Sequence, residues 1–169
     1  MHRGQTILVD TNVIIEAVRI GCWSAIKAYF RVETVEKCCE EARTGDMHRS
    51  NYVVVDEEAL RKQVNTHSVS ERELAKLAIL DPNSTLFDSG ERHLWAHALS
   101  RSDAWIASSA DFAAVRAAVR LGWEERLVSL EELVKAASVN PRAGIPKEQF
   151  SRTRLSEWRT HAILERGSL

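Results

Sequence analysis

The sequence has no apolar run of about 18 residues, the shortest stretch that crosses a membrane as a helix. Its opening residues, Met1 to Gln5, lack the apolar segment and cleavage pattern of a secretory signal. It contains three cysteines, an odd number without CxxC spacing. These absences predict no membrane partner, reduced thiols and a cytoplasmic location.

Neither sign of charge is in clear excess, since 23 Lys and Arg residues face 24 Asp and Glu residues. This balance excludes a histone-like nucleic-acid binder and an acidic tail protein. Apolar residues make up 44% of the 169 residues, which is enough to form the core of one domain. The last part, residues 140–169, begins with a turn-rich segment and is basic. We therefore expect a domain over residues 1–139 and a helical extension over 140–169.

Short strand-like segments alternate with helical ones along the chain. The best of these strands are uniformly apolar, as in parallel sheets that are covered on both faces. The pattern predicts an α/β fold with three α/β/α layers around a mainly parallel sheet of about five strands. The expected strands are Thr6–Val9, Arg31–Glu33, Tyr52–Val55, Ala104–Ala107 and Leu127–Ser129.

Two aspartates directly follow apolar strands of the predicted sheet. Asp10 ends the first strand, and Asp111 follows the strand that ends near Ser109. In such sheets the functional site lies at the carboxyl ends of the strands. Each aspartate could instead simply cap the helix after it. Carboxylates gathered at one edge repel each other unless a cation neutralises them, and Mg²⁺ or Mn²⁺ suits a small set of oxygen ligands.

Further acids could join this edge from two helices. Asp88 and Glu91 open a long helix, where Asp88 can act as the cap and Glu91 can point to the metal. Glu36 and Glu40 lie one turn apart on an earlier helix, so they share a face and either could reach the strand edge. Most exposed glutamates have no specific role, so the sequence leaves these two positions open.

Three segments together resemble the PIN domain family, a metal-dependent ribonuclease fold. The segment ILVDTNVIIE (7–16) resembles the opening of that domain. The segment DSGERHLWA (88–96) is similar to the helix start that supplies a third acid in one branch of the family, and SADFAAVRAA (109–118) resembles its fourth-acid segment. The three segments occur in the family's order, and the resemblance covers residues 6–135.

The resemblance implies a PIN-like domain that hydrolyses RNA with Mg²⁺ or Mn²⁺. It implies Asp10, Glu91 and Asp111 as metal ligands, with either Glu36 or Glu40 as the second acid. The supporting side chains would be Thr11, Asn12, Asp88 and Ser109, and the cations expected to steer RNA are Arg92, Arg116 and Arg120. PIN proteins are often toxins, so the resemblance allows an antitoxin partner and a homodimer. The uncertain second acid leaves open a non-catalytic PIN-like module that binds RNA or protein.

Two histidines on the helix that begins at Asp88 form a weaker signal. His93 and His97 lie four residues apart, a spacing that can bind zinc. The sequence shows no third ligand beside them. We therefore expect these histidines to make surface or partner contacts.

Overall fold

The computed structural model describes residues 1–44 and 56–167, and it contains a four-stranded parallel sheet. The strands lie in the order β3-β2-β1-β4, so the first strand of the chain is central. The expected strand Tyr52–Val55 lies outside the described residues. The strands are β1 (Thr6–Val9), β2 (Arg31–Val35), β3 (Asn65–His67) and β4 (Ile106–Ser108).

Helices pack on both faces of this sheet, which gives the α/β architecture expected from the sequence. Ile7 and Val9 of β1 enter one buried cluster, and Leu8 between them enters the other, because side chains alternate along a strand. The helices within the described ranges are α1 (Thr11–Arg19), α2 (Trp23–Tyr29), α3 (Glu36–Thr44), α4 (Glu57–Gln63), α5 (Glu71–Leu80), α6 (Ser89–Ser100), α7 (Phe112–Arg120), α8 (Leu130–Ala136) and α9 (Arg152–Gly167).

The sheet differs from the sequence expectation at both of its edges. Leu127 forms one parallel bridge with Ala107, and the chain then enters α8 through a capping box at Ser129, so no full strand forms there. At the other edge, β3 pairs with β2 although its residues are Asn-Thr-His. This polar edge strand has no apolar run by which the sequence could indicate it.

The basic extension packs on the rest of the chain. Helix α9 lies against α7 and buries Leu155 and Ala162. Arg166 donates a hydrogen bond of 2.6 Å to the carbonyl of Val119, which fastens the far end of α9. No helix in the described ranges is both long and apolar enough to cross a bilayer.

Candidate functional site

Asp10 stands at the carboxyl end of β1 and caps α1. Its Oδ1 accepts a hydrogen bond of 2.8 Å from the backbone N–H of Val13. Its Oδ2 is buried and has no hydrogen-bond partner of acceptable geometry among the described residues. Burial raises the pKa of Asp10 to about 6, although the nearby Ser109 hydroxyl and the N–H groups of Val13 and Ala110 counteract part of this rise. The local fold thus holds one carboxylate oxygen and leaves the other available.

Glu91 faces the same place from the first turn of α6. This turn is fixed by Asp88, whose Oδ1 accepts a hydrogen bond of 2.8 Å from the Glu91 N–H. Burial, the largest cause, and the negative charges of Asp111, Asp88, Asp10 and Glu41 together raise the pKa of Glu91 to about 9. Four other carboxyl groups are therefore close enough to repel the charge of Glu91.

Glu41, on α3, is an acid of this site that the sequence did not single out. Its Oε1 accepts a hydrogen bond of 2.7 Å from the Gly90 N–H, and its Oε2 lies 3.3 Å from the Thr11 hydroxyl, which donates to it. Burial raises the pKa of Glu41, and so does the charge of Asp88. The approach to Gly90 is so close that a Cβ there would overlap Oε2 and lie 2.9 Å from Cδ of Glu41. A side chain at position 90 would therefore displace the Glu41 carboxylate from this position.

These side chains enclose a small acidic cavity, which we call the acid pocket. Its volume is about 160 Å³, well above the roughly 15 Å³ that one water molecule needs. The pocket can therefore hold an ion together with water. Its lining residues are Asp10, Thr11, Asn12, Ile15, Glu41, Asp88 and Glu91.

Asp111 lies beside the acid pocket but does not line it. It caps α7, since its Oδ1 accepts a hydrogen bond of 2.6 Å from the Ala113 N–H. Its own N–H donates to the Ser109 hydroxyl over 3.3 Å. Ser109 therefore lies between the two strand-terminal aspartates, because its hydroxyl is also close enough to Asp10 to lower the pKa of that carboxyl.

Glu36 and Glu40 lie on a different face of α3 from the acid pocket. Glu40 is paired with Lys37 at 2.7 Å, and Glu36 faces Arg61 at 3.8 Å; both glutamates are about half exposed. Glu41 instead lies three residues after the fully buried Cys38, so it shares the inward face of the helix. The structure brings Glu41 to the pocket and places the two expected candidates outside it.

Two of the three arginines expected to steer RNA, Arg116 and Arg120, have partners within the chain. Arg120 forms a bidentate pair with Asp81 at 2.8 and 2.7 Å. Arg116 pairs with Glu165 of α9 at 2.8 Å. Arg92 follows Glu91 on α6 and is partly buried. Arg120 is nine residues beyond Asp111, which places it about 13 Å along the helix axis from the acids.

A second group of titratable side chains lies in the core, and we call it the histidine cluster. His97 of α6 is buried, so the expectation of a surface contact is wrong for this residue. Its Nε2 lies 3.8 Å from Oε2 of the fully buried Glu33 on β2, and Nε2 of His67 on β3 lies 3.0 Å from the same oxygen. Each of the three residues offers one ligand atom, and these atoms lie within 4.8 Å of one another, so the group could hold a metal ion. The Arg101 guanidinium also contacts Glu33 Oε2.

Comparison with known proteins adds no assignment for this chain. No protein-family model matches it, no curated protein matches it, and no solved structure matches it. What the protein does must therefore be inferred from its own residues and their geometry.

Proposed function

We propose that the chain is a divalent-metal-dependent endoribonuclease of the PIN type, with its active site at the acid pocket. One observation carries this proposal: the buried Oδ2 of Asp10 has no hydrogen-bond partner of acceptable geometry among the described residues, and Asp10 lines a cavity together with Glu41, Asp88 and Glu91. Such clustered, strongly shifted carboxyl groups are characteristic of functional sites.

The donor set of the pocket fits Mg²⁺ or Mn²⁺. Asp10, Glu41 and Glu91 offer carboxylate oxygens, which these hard cations prefer, and Asp111 adds negative charge nearby. A divalent cation would remove the repulsion that raises the pKa of Glu91. We assign the metal-holding role to Asp10, Glu41 and Glu91, and a supporting role to Asp111.

The metal and the residues of the pocket would have different roles in RNA hydrolysis. When bound, Mg²⁺ or Mn²⁺ supplies Lewis-acid activation and neutralises charge at the phosphate. Asp10 is held in one orientation by the Val13 N–H. Once a cation neutralises the neighbouring acids, Glu91 would be ionised, and an oxygen of Glu91 that does not bind the metal would accept the proton of the attacking water. Thr11 and Gly90 orient Glu41.

RNA as the substrate and an antitoxin as a partner belong to this same proposal through the PIN resemblance. An antitoxin would act by covering the acid pocket, whose acids are partly buried. The near-neutral charge of the chain favours a small structured RNA over nonspecific binding to long RNA.

The test is cleavage of a labelled, structured RNA in Mn²⁺, in Mg²⁺ and in chelator. Wild type should cleave only with metal, and Asp10→Asn should cleave roughly 100-fold more slowly or worse, because a metal ligand is lost while the helix cap is kept. Glu40→Gln, on the same helix as Glu41 but outside the pocket, is the matched control and should cleave like wild type.

Two results would contradict the proposal. Cleavage that persists in chelator would exclude a metal-dependent reaction at this pocket. An Asp10→Asn variant as active as wild type would show that the pocket is not the active site. Specific RNA binding without cleavage in any metal would favour the non-catalytic module instead.

A further inference from the structure

We propose that the histidine cluster is a second metal site, formed by Glu33, His67 and His97 and suited to a transition-metal ion such as Zn²⁺. It is separate from the acid pocket in both residues and chemistry. Its donors are two imidazole nitrogens and one carboxylate, whereas the acid pocket offers oxygens alone. Imidazole ligands favour zinc-like ions over Mg²⁺.

The two distances from Glu33 to the histidines are close to those of a tetrahedral site. Ligand atoms bound about 2.0–2.1 Å from a tetrahedral zinc ion lie about 3.4 Å from one another. Oε2 of Glu33 is 3.0 Å from Nε2 of His67 and 3.8 Å from Nε2 of His97. These two separations bracket the ideal value. Because the two rings are nearly parallel, one imidazole must also turn for both nitrogen lone pairs to point at the same ion.

Three different elements bring these ligands together. Glu33 is on β2, His67 is on the neighbouring β3, and His97 is on α6 above the sheet. The two imidazole rings are stacked, with centroids 4.3 Å apart and an angle of 21° between their planes. Glu33 is fully buried, whereas the side chain of His67 is 35% exposed, so His67 connects the cluster to solvent. The ligands are therefore positioned by three elements, and the cluster is open to solvent on the side of His67.

When no metal is bound, Arg101 at the end of α6 supplies positive charge to the cluster. Its Nη1 contacts Oε2 of Glu33 and lies 3.2 Å from Nε2 of His97. Its Nε and Nη2 bind Asp103, which is about half exposed, at 2.8 and 2.5 Å. The guanidinium is thus held between a buried carboxylate and an exposed one.

This arrangement makes Arg101 a competitor of the metal. An entering ion would take the place of Nη1 at Glu33, while Arg101 would keep its pair with Asp103 at the surface. The exchange replaces one cation by another beside a buried carboxylate, so no charge is left uncompensated. Metal affinity should then be limited by Arg101 and should increase when Arg101 is removed. A purely structural ion-pair network would not behave in this way.

The test uses tag-free, chelator-treated protein that is titrated with Co²⁺ and then with Zn²⁺. Four-coordinate Co²⁺ with nitrogen ligands absorbs intensely in the visible range, while oxygen-only six-coordinate Co²⁺ absorbs weakly, so the spectrum separates this cluster from the acid pocket. We expect one intensely absorbing Co²⁺ per chain, displaced by Zn²⁺. His67→Ala should weaken Co²⁺ binding at least tenfold. Residues that only hydrogen-bond to metal ligands already change metal affinity by about this factor, and a lost ligand should matter at least as much. His161→Ala, an exposed histidine on α9, is the matched control.

Arg101→Gln provides the sharper measurement. It should bind Co²⁺ and Zn²⁺ about tenfold more tightly than wild type, and Zn²⁺ should raise its melting temperature by more than that of wild type. The absence of the intense spectrum from both proteins would overturn the proposal. So would His67→Ala binding as tightly as His161→Ala. If Arg101→Gln does not fold, the pair of histidine variants still decides the question.

Discussion

The buried carboxylate of the histidine cluster and those of the acid pocket have different surroundings. In the histidine cluster, two arginines compensate the negative charge of Glu33. Arg101 contacts its Oε2, and Nε of Arg31 lies 3.1 Å from its Oε1. In the acid pocket, Asp10 receives a backbone N–H, and the charges around Glu91 that raise its pKa are other carboxylates.

The difference indicates which region is electrostatically compensated without a metal and which one is destabilised without it. A buried charge with a partner in the chain is part of the folded structure and is costly to disturb. A group of buried acids that raise one another's pKa destabilises the metal-free fold. Such groups are therefore found mainly at functional sites. The following experiments test this contrast.

The largest stability difference should separate Arg101→Gln from Asp10→Asn. Without metal, Arg101→Gln should lose about 3 kcal/mol of unfolding free energy, because Glu33 then stays buried without its main cation. Asp10→Asn should be at least as stable as wild type, because asparagine still caps α1 and carries no charge. Urea unfolding in chelator measures both values. The contrast fails if Asp10→Asn is the less stable of the two.

The acid pocket should also make stability depend on pH in a predictable direction. The pKa of Glu91 is raised in the fold from 4.5 to about 9, so between these values the native state binds more protons than the unfolded state. Its contribution is fully present below about pH 4.5 and is lost as the pH rises toward 9. In chelator, wild type should therefore lose at least about 1 kcal/mol between pH 5 and 8.5 that Glu91→Gln does not lose.

The control for this pH profile is Glu36→Gln, an acid outside the pocket, which should follow the wild-type curve. Thermal unfolding at matched pH values provides the comparison. Parallel curves for wild type and Glu91→Gln would show that Glu91 does not titrate as the structure indicates.

Gly90→Ala should reduce function more than stability. The new methyl group would displace the carboxylate of Glu41, and we expect cleavage to fall about tenfold. Unfolding free energy should change little, because alanine is the better helix former. Gly167→Ala is the control, because no atom lies within 4 Å of the position that its Cβ would take. This variant should leave cleavage unchanged. Full activity of Gly90→Ala would remove Glu41 from the proposed machinery.

The smallest effects should come from Glu36→Gln and Glu40→Gln. Both acids form exposed pairs, which are worth at most about 1 kcal/mol. Cleavage should stay within about twofold of wild type for each, while Glu41→Gln should lose activity strongly. A large loss in either exposed variant would point to an arrangement of α3 unlike the one described here.

The sequence was sufficient to locate the strand-terminal acids because their positions follow from local rules. An aspartate directly after an apolar strand both caps a helix and lies at the sheet edge, and Asp10, Asp88 and Asp111 all cap helices as expected. The strands β1 and β4 could also be predicted from local sequence, since both lie in apolar runs. The expected fifth strand, Leu127–Ser129, is reduced to a single bridge.

The second acid and the histidine cluster could not be located in this way. Whether Glu36, Glu40 or Glu41 faces inward depends on where α3 begins, because one residue rotates the helix by about 100°. The helix starts directly after β2, which turns Glu41 toward the pocket. The partners of His97 come from β2 and the polar β3, so only the sheet topology brings them together.

The most direct measurement of the central claim is the effect of Mn²⁺ on thermal unfolding of wild type and Asp10→Asn. If the acid pocket is built for a divalent cation, millimolar Mn²⁺ should raise the melting temperature of wild type by several degrees, because ligand binding to the native state adds to its stability. Asp10→Asn should gain much less, since it lacks the carboxylate whose Oδ2 is available. Equal gains for the two proteins would contradict the assignment of the metal to Asp10.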